Sequence, residues 1–261
     1  MSVTLIAVVI ALLLGHLAQP FVAALRQYDW YADWLRWLSA RFGEGSVWRG
    51  RYGIAMALAV PLLVVGLFQI ALDAPLLGLV GLLFAVAVLV YAWGPRDLDL
   101  DVDAITATTD PVARREAAAR LWPAGQEPLM DGASLVEAVF RNAQRRWFGV
   151  LFWFLLLGPV GALLYRLSVL SVEGEMATQL PATTGEGARR LLAVLDWPVA
   201  QLMTLAMALV GNFDTVFSTW REAGGTQFRL HTGFLGSAAR ASVRGELAEE
   251  AEEYAEEGMV Q

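Results

Sequence analysis

Residues 147–165 read WFGVLFWFLLLGPVGALLY, a stretch without a single charged side chain. A bilayer core of roughly 30 Å takes about 20 helical residues, and core helices of soluble proteins rarely stay uncharged for so long. At its middle, Gly158-Pro159-Val160-Gly161 weakens the helix where lipid would surround it, which leaves two arrangements open. In one, the segment is kinked and crosses once. In the other, it breaks into two half-helices that return to the face they entered from.

Four further apolar runs, Val3 to Leu25, Ile54 to Leu72, Ala74 to Trp93 and Leu191 to Phe213, come close to the same length. They raise the hydrophobic share to 57% of 261 residues, above the roughly 45–50% of an ordinary soluble domain. The fold class expected is therefore all-α, a polytopic membrane bundle of four or five passes with a cytoplasmic helical insertion. The first run has no basic stretch ahead of it and no A-x-A site, so a retained helix is expected rather than a cleaved signal. Residues 1–95 form three passes with an aromatic loop, 96–146 a soluble helical segment, 147–213 two passes with a broken Gly-Pro centre, and 214–261 an amphipathic and acidic tail.

Every basic residue is arginine. Arg26, Arg36, Arg41, Arg49 and Arg51 follow the first run, and Arg96, Arg114, Arg115, Arg120, Arg141, Arg145 and Arg146 precede the fourth, whereas the short turn at Asp73 has none. Arginine-rich loops stay cytoplasmic, so the N-terminus is expected outside, in the periplasm of a bacterial inner membrane. The single crossing by 147–165 is favoured, because it leaves all arginines inside except Arg166, Arg189 and Arg190. The net charge of −7 comes largely from glutamates in the tail, Glu246 to Glu257, and nothing favours nucleic-acid binding.

Local signals are sharper. Tyr28, Tyr31, Trp34, Leu35, Leu38 and Phe42 recur at helical spacing, beside Trp30 and Trp37, and suit a helix lying in the headgroup layer. Asp110-Pro111 reads as an N-cap and first-turn proline, and Ser134 to Glu137 as a capping box whose helix runs on into the fourth pass. Pro61 should kink the second pass, and Asp73-Ala74-Pro75 allows only a tight hairpin. Asp196 is either an N-cap at the interface or a carboxylate pointing into the bundle.

With no cysteine and only His16 and His231, thiolate and histidine metal sites have no basis. Asp97, Asp99, Asp101 and Asp103 alternate along the chain. If extended, Asp97, Asp99 and Asp103 could hold a hard cation such as Mg²⁺; the alternative is a solvated acidic loop. Glu137, Arg141 and Arg145 share one helical face, with Asn142 and Arg146 beside it. Together with Arg166 and Asp196 they form a candidate cytoplasmic pocket for a phosphate or carboxylate, against the alternative of local ion pairs and headgroup anchors. No phosphate-binding glycine loop occurs.

EAVFRNAQRRWFGVLFWFLLLGPVGALLY from Glu137 to Tyr165, then Arg166, and LLAVLDWPVAQL from Leu191 to Leu202, resemble the AmpE and CobD/CbiB family of bacterial membrane proteins. The CobD/CbiB branch implies a synthase that joins an aminopropanol (phosphate) to adenosylcobyric acid with ATP and Mg²⁺. The AmpE branch implies an inner-membrane factor tied to AmpD, peptidoglycan recycling and β-lactamase induction. The synthases read approximately E-x-x-x-E-N-x-x-D-G ahead of the apolar block. Here Glu137 and Asn142 match, but Arg141, Arg145 and Arg146 stand in place of Glu, Asp and Gly. Their N-T-L-D after the tyrosine is also replaced, by Val169-Leu170-Ser171-Val172. Arginine repels Mg²⁺ where carboxylate would hold it, so the resemblance points to a non-enzymatic AmpE-type modulator, with a nucleotide-binding enzyme of the same framework as the alternative. The partners implied are the bilayer and a cytoplasmic protein of the AmpD pathway. A scaffold that recruits a soluble protein through residues 96–146, and a homo-oligomer, stay open.

Overall fold

The computed structural model describes residues 2–17, 27–73, 78–94, 98–123, 125–227 and 230–259. Arg26, Ala74, Pro75, Arg96 and Asp97 lie outside the described residues, as do the side chains of His16 and of the tail glutamates from Glu249 onward. The described chain is all-helical, with no strand. In order come α1 (Ser2–Leu17), α2 (Asp29–Arg41), α3 (Gly53–Leu72), α4 (Gly78–Ala92), α5 (Leu98–Thr106), α6 (Pro111–Ala119) and α7 (Gly132–Ala143). A π-helical turn, Gln144–Phe148, leads into α8 (Gly149–Leu157), α9 (Pro159–Leu170), α10 (Gly174–Thr178), α11 (Ala182–Val210), α12 (Phe213–Glu222) and α13 (Gly233–Met259).

The chain divides into two compact units, Met1–Asp97 with Arg145–Leu195, and Leu98–Gln144 with Asp196–Gln261. In the first, α1 packs on α4, and α9 packs on α3, α4 and α8. Ala7, Ala11, Leu89, Val150, Phe154, Tyr165 and Leu195 fill one core; Tyr31, Leu35, Trp48, Ile54, Leu163 and Leu167 fill a second. In the second unit, α13 packs on α7 and α12, and α5 on α6 and α7.

Among the described residues, α3 and α11 are both long and apolar enough to cross a membrane, by length and composition; Thr4–Leu13, α4 and α9 are shorter apolar helices. Much of their apolar surface is exposed, including Leu63, Leu67, Phe68 and Ile70 on α3 and Leu79 and Leu83 on α4.

The apolar stretch 147–165 does not make the single crossing favoured from the sequence. It folds back on itself at Gly158. A Cβ on Gly161 would overlap the Trp153 carbonyl and lie 2.8 Å from the Leu157 Cβ, and one on Gly149 would overlap the Tyr165 ring. Pairs 153/161 and 149/165 are equidistant from residue 157, the signature of an antiparallel helical hairpin. Gly158 turns the chain at φ +70°, a conformation that suits glycine, and Pro159, lacking an N–H, starts α9. The broken helix leaves backbone groups without intrahelical partners, and Gln69 of α3 meets two of them. Its Nε2 donates to the Leu157 carbonyl at 3.2 Å, and its Oε1 accepts from the Val160 N–H at 3.1 Å.

Asp110 caps α6 as expected, accepting from the N–H groups of Val112 and Ala113 at 3.2 and 3.3 Å. The next helix begins earlier than the proposed capping box, because Asp131 takes the Ser134 N–H at 2.9 Å. That contact holds the Asp131 carboxyl below its ordinary pKa. On α2, Tyr31, Leu35 and Leu38 are buried while Trp30 and Trp37 are exposed.

Tyr31 also sets an alkaline limit. Ser171 Oγ donates to the Leu167 carbonyl at 2.7 Å, so the Tyr31 hydroxyl donates to Ser171 at 2.8 Å. Burial pushes the phenol from 10.0 up to about 12. The folded state thus holds the proton more tightly than the unfolded one, and this stabilisation is complete below pH 10 and lost as pH rises toward about 12. Melting midpoints measured across that range should fall more steeply for the wild type than for Tyr31→Phe.

Candidate functional site

The residues singled out from the sequence are distributed over both units. Glu137, Arg141, Asn142 and Asp196 belong to the second, and Arg145, Arg146 and Arg166 to the first. The expected single face of Glu137, Arg141 and Arg145 is broken by the π-helical turn, which inserts extra residues per turn after Ala143 and rotates the side chains beyond it.

In the second unit, Glu137 is paired with Arg240 of α13, and that contact leaves no room for a Cβ at Gly236, 2.6 Å from Glu137 Cγ. Asn142 Nδ2 donates to the carbonyls of Leu121 and Ala138, both at 2.8 Å. Its amide donors therefore tie α7 to the end of the preceding segment instead of facing a ligand. Asp196 is not an N-cap: α11 starts fourteen residues earlier at Ala182 and runs unbroken through it, with Pro198 inside the helix. Its carboxylate is buried, and its carbonyl accepts from the buried Gln144 Nε2 at 2.9 Å.

The aspartate row is helical rather than extended. Asp99 and Asp103 lie one turn apart on an exposed face of α5, while Asp101 is fully buried, 3.9 Å from Arg120. No group of three potential carboxylate or histidine ligands occurs among the described residues, so the arrangement imagined for Asp97, Asp99 and Asp103 finds no geometric support.

In the first unit the hairpin brings its two ends together. Arg145, ahead of α8, pairs with Glu173, beyond α9. The Arg146 carbonyl accepts the Gly94 N–H at 3.1 Å, and a Cβ on Gly94 would lie 2.7 Å from the Arg146 Cβ. Arg166 is 2% exposed and donates through Nε to the Ala92 carbonyl at 2.7 Å. Arg146 and Arg166 are thus tethered to one short turn, Ala92 to Gly94, at the end of α4.

The largest concavity lies elsewhere in this unit and contains none of the predicted site residues. A groove of about 850 Å³ is walled by Trp30, Trp34 and Trp37 of α2, Val60, Pro61 and Val64 of α3, Phe84 and Tyr91 of α4, and Leu163 of α9. Trp34 and Trp37 stack with ring centres 5.1 Å apart, and the Trp30 indole donates to the Tyr91 hydroxyl at 2.5 Å. Sequence reasoning gave the tryptophans a headgroup role and overlooked Gln69, Glu173 and Arg240. For Gln69 a signal existed, a lone amide in an apolar run; the other two are long-range partners with none.

The chain is 29% identical over 198 residues to the cobalamin biosynthesis protein CobD of Chromobacterium violaceum, an alignment covering 73% of this chain and 63% of that protein. No family model matches. No solved structure matches either. The similarity supports the relation to CobD/CbiB proteins and leaves the relation to AmpE unsupported.

Proposed function

We propose that this is a multi-pass helical protein of the bacterial inner membrane, acting in cobalamin assembly on the framework of its CobD relative. The observation that carries the reading is the 198-residue similarity. Continuous exposed apolar surface on α1, α3 and α4 supports a lipid environment, since soluble monomers rarely expose apolar patches beyond a few hundred Å². The test is complementation of a bacterium lacking adenosylcobinamide-phosphate synthase: restored corrinoid-dependent growth supports the reading, and failure by a protein present in the membrane fraction overturns it.

A second reading, a non-catalytic modulator of the AmpE type acting in β-lactamase induction, is favoured by one observation. Arg145 stands where the synthase pattern has an aspartate, and it spends its charge on Glu173. An ion pair there offers Mg²⁺ no ligand, whereas a free carboxylate would. Deleting the gene and finding β-lactamase induction by a cell-wall antibiotic unaltered would sink this second reading.

A further inference from the structure

Arg166 is buried, and although its Nε is satisfied by the Ala92 carbonyl, its Nη2 has no hydrogen-bond partner among the described residues. An unmet donor on a buried cation is among the costlier defects a fold can carry. The charged groups acting on it are Glu173 and Arg146, and Glu173 is already engaged with Arg145. Among the described residues, the base of the hairpin therefore gathers three arginines against one carboxylate, and two of the three are tethered to the Ala92–Gly94 turn.

We propose that the base of the α8–α9 hairpin binds a phosphate group, with the buried Nη2 of Arg166 as its inner contact and Arg146 at its rim. A guanidinium presents paired N–H donors that fit two phosphate oxygens, and phosphate supplies the negative charge this cluster lacks. The phosphate could belong to a soluble phosphorylated molecule or to a phospholipid headgroup. The inference deepens the membrane-protein reading and rests on it for the lipid source.

The test uses the full chain in a neutral detergent, melted while inorganic phosphate or pyrophosphate is titrated at ionic strength held constant with chloride. In parallel it is melted in phosphatidylcholine nanodiscs with and without phosphatidylglycerol. A saturable rise in melting midpoint with the free anions, weakened at least tenfold in apparent affinity by Arg166→Gln, identifies a soluble ligand. A rise seen only with phosphatidylglycerol, and lost in the same variant, identifies a headgroup. Arg146→Gln should weaken either response severalfold and serves if Arg166→Gln does not fold; Glu175→Gln, on the exposed α10, should leave it unchanged. A wild-type midpoint unmoved by all three probes, or moved equally in the arginine variants, overturns the proposal. Recovery of every protein in the membrane fraction shows that such a failure belongs to the site and not to the membrane assignment.

Discussion

Gly161→Val should cost about 3 kcal/mol, at the upper end of what overpacking usually costs, seen as a drop of roughly 6–12 °C in melting midpoint in detergent. The position tolerates no side chain, because a Cβ there meets the Trp153 carbonyl, which is backbone and cannot rotate away, and the Leu157 Cβ at 2.8 Å. Relief would require α8 and α9 to separate, which uncovers Val150, Phe154, Ala162 and Tyr165. Gly78→Val serves as the control: nothing lies within 4 Å of a Cβ there, so only the small effect of a β-branched residue at a helix start is expected. Equal losses at the two positions would show that valine acts through helix propensity and not through the fold-back.

Gln69→Leu is expected to have the second largest effect, about 2–4 kcal/mol, because it strands the Leu157 carbonyl and the Val160 N–H together, each worth roughly 1–3 kcal/mol when left unmet. The size of the loss reports on the surroundings. In lipid no water can replace the missing partners, so the full penalty applies; in water most of it would be recovered by solvation. Gln69→Glu offers a graded comparison, since it keeps an acceptor for Val160 and loses the donor to Leu157. Comparable stability of wild type and Gln69→Leu in nanodiscs would remove Gln69 from its role as clamp.

Much of the helical outline was legible because its causes are local. The apolar runs give α1, α3, α4 and α8, and an aspartate followed by proline gives the cap of α6. The hairpin was not decided by sequence, because a glycine-proline break permits a kink or a reversal equally. Reversal is selected by the complementarity of Gly149 with Tyr165 and of Gly161 with Trp153, together with an amide supplied from α3. The candidate site was legible in composition but not in pairing. Glu137 and Arg141 share helical spacing, yet Glu137 forms its ion pair with a residue 103 positions away, and Arg145 pairs 28 positions away with Glu173. Helical spacing predicts neighbours on one surface; it carries no information about which other helix will be laid against that surface.

The reversal at Gly158 also fixes a matter of parity. A segment that leaves a boundary and comes back adds nothing to the count of traversals, so residues on its two flanks share an address. Arg145 and Glu173 touch, and in any bilayer they must therefore lie on the same side. Reporters inserted at the two flanks of the hairpin are bound to agree, and the sidedness of everything after residue 173 is shifted by one traversal from the order a hydropathy profile implies.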